Sequence, residues 1–219
     1  MHVNGVMESV VRKLREEIVT GRLHAGSRLH EAELAERLGI SRPPLREAFR
    51  TLSNENLVVC APRKGCFVAP MSRGDCAEIY RVRQMVECTA LDIVRQEGLS
   101  LAPLREALLA AQDMPEGVST CDNFYLMSRF HLSLVECTGN RWLTHCHQGL
   151  RSSLARYQVM YLNLPGANAP SLDEHAQILA LLEQGDFERA KAALVAHLNR
   201  TRQCLFDSMP GGGPAHDTR

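Results

Sequence analysis

Apolar positions in the first seventy residues follow helical spacing three times and then change to the pattern of two short strands. The first helical segment is residues 6–20. The second lies in "EAELAERLGI" and ends at Gly39, and the third runs from Ser41 to about Asn54. Their inward-facing residues are, in chain order, Val6, Val10, Val11, Leu14, Ile18, Leu34, Ala35, Leu38, Leu45, Ala48, Phe49 and Leu52. The stretch "LVVCAPRKGCFVA" then reads as a strand, a Gly-containing turn and a second strand. Two helices joined by a tight turn and followed by a β-hairpin predict a winged helix-turn-helix.

Beyond residue 75 the helical periodicity continues without a convincing strand pattern. The predicted helices are residues 75–97, 101–112, 122–138, 141–163, 171–184 and 187–208. Ser171 and Glu174 have the spacing of a capping box, and Asp186 is expected to cap the last helix. Short connections between these helices indicate a mostly antiparallel bundle. The predicted fold class is therefore mainly α, with an N-terminal winged helix-turn-helix and a C-terminal α-helical bundle.

The Pro-, Gly- and Ser-containing stretch "PMSRGD" marks a boundary between these parts. The predicted organisation is a winged helix-turn-helix domain (1–70), a linker (71–74), an all-helical domain (75–208) and a flexible tail (209–219). The net charge of the whole chain is zero, but residues 1–70 carry 11 Lys/Arg and 8 Asp/Glu. A front part with a small positive excess is compatible with DNA binding.

Nothing in the composition predicts a membrane span, because no run of 18 apolar residues occurs. The N-terminal "MHVNGVMESVVRKLREEI" has charges where a signal peptide has an apolar region, so the cytoplasm is the expected location. The eight cysteines include no C-x-x-C pair and are expected to be mostly small buried hydrophobes. A redox sensor is the alternative, but the sequence singles out no cysteine.

The helix after Gly39 begins with the unusual sequence "SRPP". If Ser41 is the N-cap, Pro43 and Pro44 lie in the first turn, where a missing N–H costs little. A capping serine accepts a hydrogen bond from the second or third N–H of its helix, and prolines there have none to donate. We therefore expect the Ser41 hydroxyl to be left for an outside partner, such as a phosphate at the helix N-terminus.

Three arginines recur along this helix on the side opposite its apolar face. Arg42, Arg46 and Arg50 are spaced by four residues, which places them in one stripe. Such a stripe can contact phosphates or guanine edges in a major groove. The alternative is a solvated surface with Glu47 as a counter-charge.

The turn of the predicted hairpin is also basic. Arg63 and Lys64 precede Gly65 in "PRKGC", a tip that suits contact with the DNA backbone or minor groove. A basic hairpin tip is common on ordinary protein surfaces, so this feature supports DNA binding only together with the helix-turn-helix.

The segment "LAERLGISRPPLREAFRTL", with its flanking residues, resembles the signature of the GntR family of bacterial transcription regulators. The helical remainder is similar to the FadR-type subgroup, and the match covers about residues 6–206. This resemblance implies a homodimer that binds a short inverted repeat. It assigns DNA binding to residues 1–70 and effector binding and dimerisation to residues 75–208. It assigns DNA contacts to Ser41, Arg42, Arg46 and the tip formed by residues 63–65. Some members use an arginine in the helix before the turn, where this chain has Ala32.

Two histidines on consecutive predicted helices lie at similar distances from the turn between them. His175 is ten residues before Gly185 and His197 is twelve after it. Antiparallel packing would place both at about 15–18 Å from the turn, given a rise of about 1.5 Å per residue. Two imidazoles at one level of a bundle can form a metal pair, which His131 would complete. The alternative is that each histidine is a surface or hydrogen-bonded core residue.

The resemblance favours the metal site, because FadR-type effector domains often hold a metal with three histidines and an aspartate. It assigns the three to His131, His175 and His197. The family's acidic ligand lies one turn before the first histidine, where this chain has Met127, a poor ligand for Zn²⁺. Three neutral imidazoles could still hold Zn²⁺ or Ni²⁺, with water or an effector carboxylate in the open positions. The alternative is direct binding of an anion, and Asn123 is not counted as a ligand.

By the same resemblance, Arg83 points into the effector cavity, where a guanidinium would bind a carboxylate in bidentate geometry. The alternative is a surface salt bridge with Glu87. His145 and His147 flank Cys146, but adjacent side chains on a helix diverge and cannot chelate one ion together. These three residues are therefore expected to be structural.

Two functions remain at this point. The first is a ligand-responsive transcription regulator that binds an inverted-repeat DNA operator as a homodimer and senses a small carboxylate metabolite. The second is a metal-dependent enzyme acting on a small organic acid. The enzyme requires a general base beside the metal, and none is evident. The regulator is favoured, since it alone gives residues 1–70 a role.

Overall fold

A computed structural model of the chain describes residues 3–115, 117–162, 164 and 168–209. The residues up to Met71 form one compact unit, and those from Ser72 onwards form another. The predicted tail, apart from Met209, lies outside the described residues. No helix in the described part is long and apolar enough to cross a membrane.

The N-terminal unit is a winged helix-turn-helix, as predicted, with one additional strand. Its elements are α1 (Val3–Val19), β1 (Arg28–Leu29), α2 (Glu31–Leu38), α3 (Arg42–Asn54), β2 (Val58–Ala61) and β3 (Gly65–Val68). The strands form an antiparallel sheet in the order β1-β3-β2, in which Arg28 is paired with Phe67. The short β1 falls in a stretch expected to be a turn-rich connection, because two residues are too few to show an alternating pattern.

The core of this unit lies where α1 and α2 pack against α3. The predicted inward-facing positions from Val10 to Leu52 are buried, except Leu38, which is partly buried. The turn between α2 and α3 depends on Gly39, whose φ of 66° is left-handed and whose N–H bonds back to the carbonyls of Ala35 and Glu36. This conformation suits glycine and ends α2, which lets α3 start in a new direction.

Helices are the only regular elements among the described residues of the second unit. Its helices are α4 (Arg73–Glu97), α5 (Ala102–Gln112), α6 (Thr120–Glu136), α7 (Arg141–Leu162), α8 (Asn168–Glu183) and α9 (Phe187–Ser208). The long helix α4 packs against α6, α7 and α9, while α8 packs against α9 and α5. The bundle prediction is therefore confirmed, with helix ends that differ from the predicted ones by up to three residues.

Side chains cap several helix starts in this unit, among them those of α4, α6 and α9. Ser72 accepts a hydrogen bond from the N–H of Asp75, and Ser119 does the same for its own helix. Asp186 caps α9 by accepting from the N–H of Arg189, as predicted. The predicted capping box at Ser171 is wrong, because α8 begins three residues earlier and Ser171 lies within the helix.

The cysteine prediction needs a correction in the wing. Cys60 and Cys66 are directly opposite each other on β2 and β3 and form a disulfide. Among the free cysteines, Cys76 is buried and Cys146 is exposed, so burial is not the shared property that the sequence suggested. Register across a hairpin, which no C-x-x-C search detects, places this pair together.

Candidate functional site

The start of α3 shows the expected behaviour of "SRPP". Ser41 is the N-cap, with extended backbone angles, and its side chain makes no capping hydrogen bond. Pro43 lies in the first turn, and the hydroxyl of Ser41 is exposed. The helix therefore presents its N-terminus and a serine hydroxyl to solvent, an arrangement that suits a phosphate.

The arginine stripe is exposed along its whole length, but its members differ in their partners. The Nε of Arg46 donates to Glu31 at 2.8 Å, and Arg50 contacts Glu47 at 3.2 Å, as the alternative interpretation expected. Arg42 has no ion-pair partner within the described part of the chain. Because exposed ion pairs contribute little, the pairs on Arg46 and Arg50 do not prevent exchange for a phosphate or base.

The wing tip lies between β2 and β3 and is exposed at Arg63, Lys64 and Gly65. Arg63 has a left-handed φ of 63°, and Gly65 has a φ of 96°. The guanidinium of Arg28 approaches Gly65, lying 3.4 Å from where a Cβ would be. Sequence reasoning missed Arg28, because only the pairing of β1 with β3 brings it beside the tip.

In the helical unit, α6, α8 and α9 bring three buried histidines together. The Nε2 of His175 lies 3.0 Å from the Nε2 of His131 and 3.3 Å from the Nε2 of His197. One ligand nitrogen from each imidazole lies within 4.8 Å of the others. All three side chains are buried. The predicted cluster therefore exists as a geometric unit.

Glu87 on α4 holds one side of this cluster. Its Oε2 accepts from the Nδ1 of His131 at 2.8 Å, and its Oε1 accepts from Arg83 at 2.7 Å and faces His147 at 3.3 Å. Burial alone would raise the pKa of this carboxyl, but Arg83 and His131 lower it well below its usual range. Glu87 is therefore an ionised carboxylate shared by three helices.

Glu174 on α8 has the equivalent role on the other side. Its Oε2 accepts from the Nδ1 of His197 at 2.6 Å, and Arg200 donates to both of its oxygens. Burial opposes ionisation, but the hydrogen bonds from His197 and Arg200 lower the pKa of Glu174 to about 2. Sequence reasoning assigned Glu174 to a capping box and missed this role.

The protonation of the cluster follows from these contacts. Burial, reinforced by Arg83, lowers the pKa of His131 to about 3, and burial also lowers the pKa values of His175 and His197. Near pH 7 all three imidazoles are neutral, and His131 and His197 keep their single proton on Nδ1 for the carboxylates. Their Nε2 lone pairs then face the Nε2 of His175, which can donate at most one proton. The cluster is rich in lone pairs and suits a cation.

Other side chains fix the remaining ring and close the site. Phe130 stacks on His175, with ring centroids 4.5 Å apart and planes inclined by 10°. Met127, at the position of the expected acidic ligand, lines a small cavity beside the histidines. The cavity has a volume of about 20 Å³, enough for roughly one water molecule.

Arg83 lies in the bundle interior and is only 1% exposed, so the surface salt bridge considered as an alternative is wrong in its location. The pair with Glu87 does form, and it is buried. The two terminal nitrogens of Arg83 have no hydrogen-bond partner within the described residues. Arg83 is not among the residues that line the small cavity, and it reaches the histidines through Glu87.

His147 was expected to be structural, and it lies buried against Glu87. Its neighbour His145 is exposed and lies near the ring of Trp142. The two side chains therefore diverge as the helix geometry requires, and only His147 belongs to the surroundings of the histidine cluster.

Known protein families match both units of the chain. The model for bacterial regulatory proteins of the gntR family matches residues 7–68, and the FCD domain model matches residues 78–200. An uncharacterized HTH-type transcriptional regulator of Streptomyces ambofaciens is 30% identical over 90% of this chain and 82% of its own. The HTH-type transcriptional repressor RspR of Escherichia coli (strain K12) is 25% identical over 91% of this chain and 89% of its own.

A crystal structure of a putative transcriptional regulator GntR from Rhodococcus sp. RHA1 has the same fold, with a TM-score of 0.77. The two sequences are 23% identical, and the structural match covers 93% of this chain and 99% of the Rhodococcus protein. The FCD match alone spans more than half of the sequence. The chain therefore belongs to the GntR family of bacterial regulators, in its FCD-containing branch, and is a DNA-binding transcription regulator.

Proposed function

We propose that this GntR-family regulator binds an inverted-repeat operator as a homodimer and responds to a small carboxylate at a three-histidine metal site. The observation that carries the proposal is the convergence of three Nε2 atoms whose opposite nitrogens are held by Glu87 and Glu174 at two of the three rings. Carboxylates on the outer nitrogens of metal-binding histidines are a recurring feature of metal sites.

The residues present fit a divalent transition metal. Zn–N bonds of about 2.0–2.1 Å in tetrahedral geometry separate two ligand nitrogens by roughly 3.3–3.4 Å. The separations of 3.0 and 3.3 Å at His175 are close to this value. Zn²⁺ and Ni²⁺ both accept imidazole, and Met127 leaves the site without a fourth ligand from the expected position. A bound metal would supply positive charge and open coordination positions for a carboxylate.

The polar surroundings support a carboxylate effector. The two terminal nitrogens of Arg83 are buried donors without a partner within the described residues. Buried donors of this kind are expected to be satisfied by water or a ligand. Because the cavity has a volume of only about 20 Å³, side chains that line it must move to admit an organic acid. Binding would therefore favour a second conformation, as a regulator requires.

We assign the DNA contacts to Ser41, Arg42, Arg46 and Arg50 on α3 and to the wing tip at residues 63–65. The assignment to α3 is supported by the exposed arginines and by the Ser41 hydroxyl, which makes no capping hydrogen bond. Arg28 is added, because it lies beside Gly65. Phosphate contacts from these residues would position α3 against the edges of the bases.

Metal analysis of the purified full chain tests the histidine site. We expect about one equivalent of Zn or Ni per chain, and His175→Ala to lose it. His145→Ala is the matched control, since that histidine is exposed on the same unit and should leave the metal content unchanged. Metal retained by His175→Ala, or the absence of stoichiometric metal from the wild-type chain, would contradict the site.

The metal-dependent enzyme is not supported. No carboxylate lines the cavity within the described residues, and the nearest ones, Glu87 and Glu174, already accept hydrogen bonds from imidazoles. A general base at the metal is therefore missing from the described site. The gntR-family model of bacterial regulatory proteins matches the N-terminal unit, and the FCD domain model matches the helical unit.

A further inference from the structure

We propose that Cys60 and Cys66 form a reversible thiol–disulfide pair that controls how firmly the wing tip binds DNA. The two residues are directly opposed in the register of β2 and β3, on either side of the tip. This inference rests on the proposed contact between the tip and DNA, and it adds a second input that is independent of the histidine site.

The position of the pair makes one of its two sulfur atoms accessible to solvent. Cys60 is exposed, whereas Cys66 is partly buried and packs against the core of the N-terminal unit. A regulator meets DNA in a compartment that keeps most thiols reduced, so a disulfide there is usually transient and responsive. The exposed Cys60 is accessible to an oxidant, and Cys66 is in place to resolve the product.

The tip between the cysteines has a backbone that benefits from a covalent tie. Arg63 is a non-glycine residue in the left-handed region, and Lys64 donates its N–H to the carbonyl of Ala61 to close the turn. A left-handed arginine is strained and persists only when its surroundings hold it. The link between Cys60 and Cys66 closes a loop around this turn, whereas the dithiol form leaves the tip freer to relax.

The chemistry balances with a peroxide as oxidant. The Cys60 thiolate attacks one peroxide oxygen, which gives a sulfenic acid and releases hydroxide. The Cys66 thiolate then attacks the Cys60 sulfur, forms the S–S bond and expels a second hydroxide. Two thiols lose two electrons and two protons, and hydrogen peroxide is reduced to two water molecules. A dithiol reductant restores both thiols by exchange and becomes a disulfide itself.

The tied wing is expected to bind DNA more tightly, because less conformational freedom is lost when Arg63 and Lys64 are ordered on the phosphates. We expect the oxidised chain to bind about fivefold more tightly than the reduced chain, a factor within the range for ordering one or two side chains.

Peptide mapping of the full chain tests the pair without DNA. Trypsin cuts after Arg63 and Lys64, so the disulfide joins the peptide of residues 51–63 to that of residues 65–73. We expect this linked pair after hydrogen peroxide treatment and its disappearance after dithiothreitol. Failure to find the linked pair after peroxide, or its persistence in excess reductant, would overturn the proposal.

Fluorescence anisotropy then measures the affinity of both forms for the tightest duplex selected from genomic fragments. Cys60→Ser should bind equally with and without peroxide, at the affinity of the reduced wild type. Cys146→Ser, which removes an exposed cysteine from the other unit, should keep the full redox response. Equal affinity of oxidised and reduced wild type, or weaker binding by the oxidised form, would overturn the regulatory role alone. If the chain forms the disulfide but binds no duplex in its oxidised or reduced form, the DNA contacts proposed for α3 and the wing tip are contradicted as well.

Discussion

Charged side chains are exposed on α3 and buried around the histidines. Arg50 and Glu47 form an i,i+3 pair whose side chains are 77% and 55% exposed. Arg83 and Glu87 form an i,i+4 pair on α4 whose side chains are 1% and 0% exposed. The sequences of the two pairs look alike, but water competes for the first pair and is excluded from the second.

This difference indicates how each unit uses its charges. An exposed pair contributes little to stability, so its members can exchange partners when DNA arrives. A buried pair is a poor source of net stability, but removing one partner leaves an uncompensated charge inside the protein. Substitutions on α3 and the wing tip should therefore change the affinity for DNA without changing the stability of the fold. Substitutions around the histidines should change the stability as well as the function.

The largest expected effect is that of Glu87→Ala. The change leaves the Arg83 guanidinium buried without a carboxylate and should lower the free energy of unfolding by about 3–5 kcal/mol. Urea denaturation of the full chain measures it, and Glu47→Ala is the matched control, with an expected loss below about 1 kcal/mol. Glu87→Gln keeps the side-chain volume and should also lose stability if charge is the cause. Similar losses for Glu87→Ala and Glu47→Ala would show that burial does not separate the two pairs.

Arg46→Ala should have the second largest effect, on DNA affinity alone. Arg46 is 63% exposed and must release Glu31 to contact DNA, so its loss should weaken operator binding by about 10- to 100-fold. Anisotropy titration measures the affinity, and thermal unfolding should be almost unchanged. Arg105→Ala removes an arginine that is also exposed and ion-paired, but on the helical unit, and it should bind DNA like the wild type. Equal affinities of Arg46→Ala and wild type would exclude Arg46 from the DNA surface.

The smallest effect is expected for Ser41→Ala, which removes a hydroxyl that makes no capping hydrogen bond. Loss of one phosphate hydrogen bond should weaken DNA binding by roughly fivefold, or about 1 kcal/mol. Stability should change by less than about 0.5 kcal/mol, since no capping bond is lost. Ser72→Ala is the comparison, because Ser72 does cap its helix and its loss should cost about 1 kcal/mol. A stability loss for Ser41→Ala as large as that for Ser72→Ala would mean that Ser41 caps α3 in solution.

Much of the architecture was predictable from local patterns. Apolar spacing gave the helices, and the proline pair with Gly39 gave the turn and the start of α3. The pairing of His175 with His197 was also predictable, because the two lie at matched distances from one turn. Each of these features depends on residues close in sequence or on the geometry of adjacent helices. The assignment of His131 to the same site came from the resemblance to the family.

The missed features depend on packing between distant segments. Glu87 meets His131 and His147 across 44 and 60 residues, and its sequence shows only an i,i+4 neighbour. Glu174 followed a serine by three residues, so the spacing of a capping box concealed its contact with His197. The Cys60–Cys66 pair required the register of the hairpin, which a turn of three residues sets but composition does not show.

The single carboxylate of Glu87 also has a consequence for the order in which the helical unit folds. Its partners lie 4, 44 and 60 residues away, on three helices. Local helices can form early, but contacts between distant segments require loop closure first. A charge that is costly to bury alone would stay hydrated until Arg83 and both histidines can surround it. Closure of the bundle around Glu87 is therefore expected to be a late and concerted event, which joins three fast-forming helices in one step.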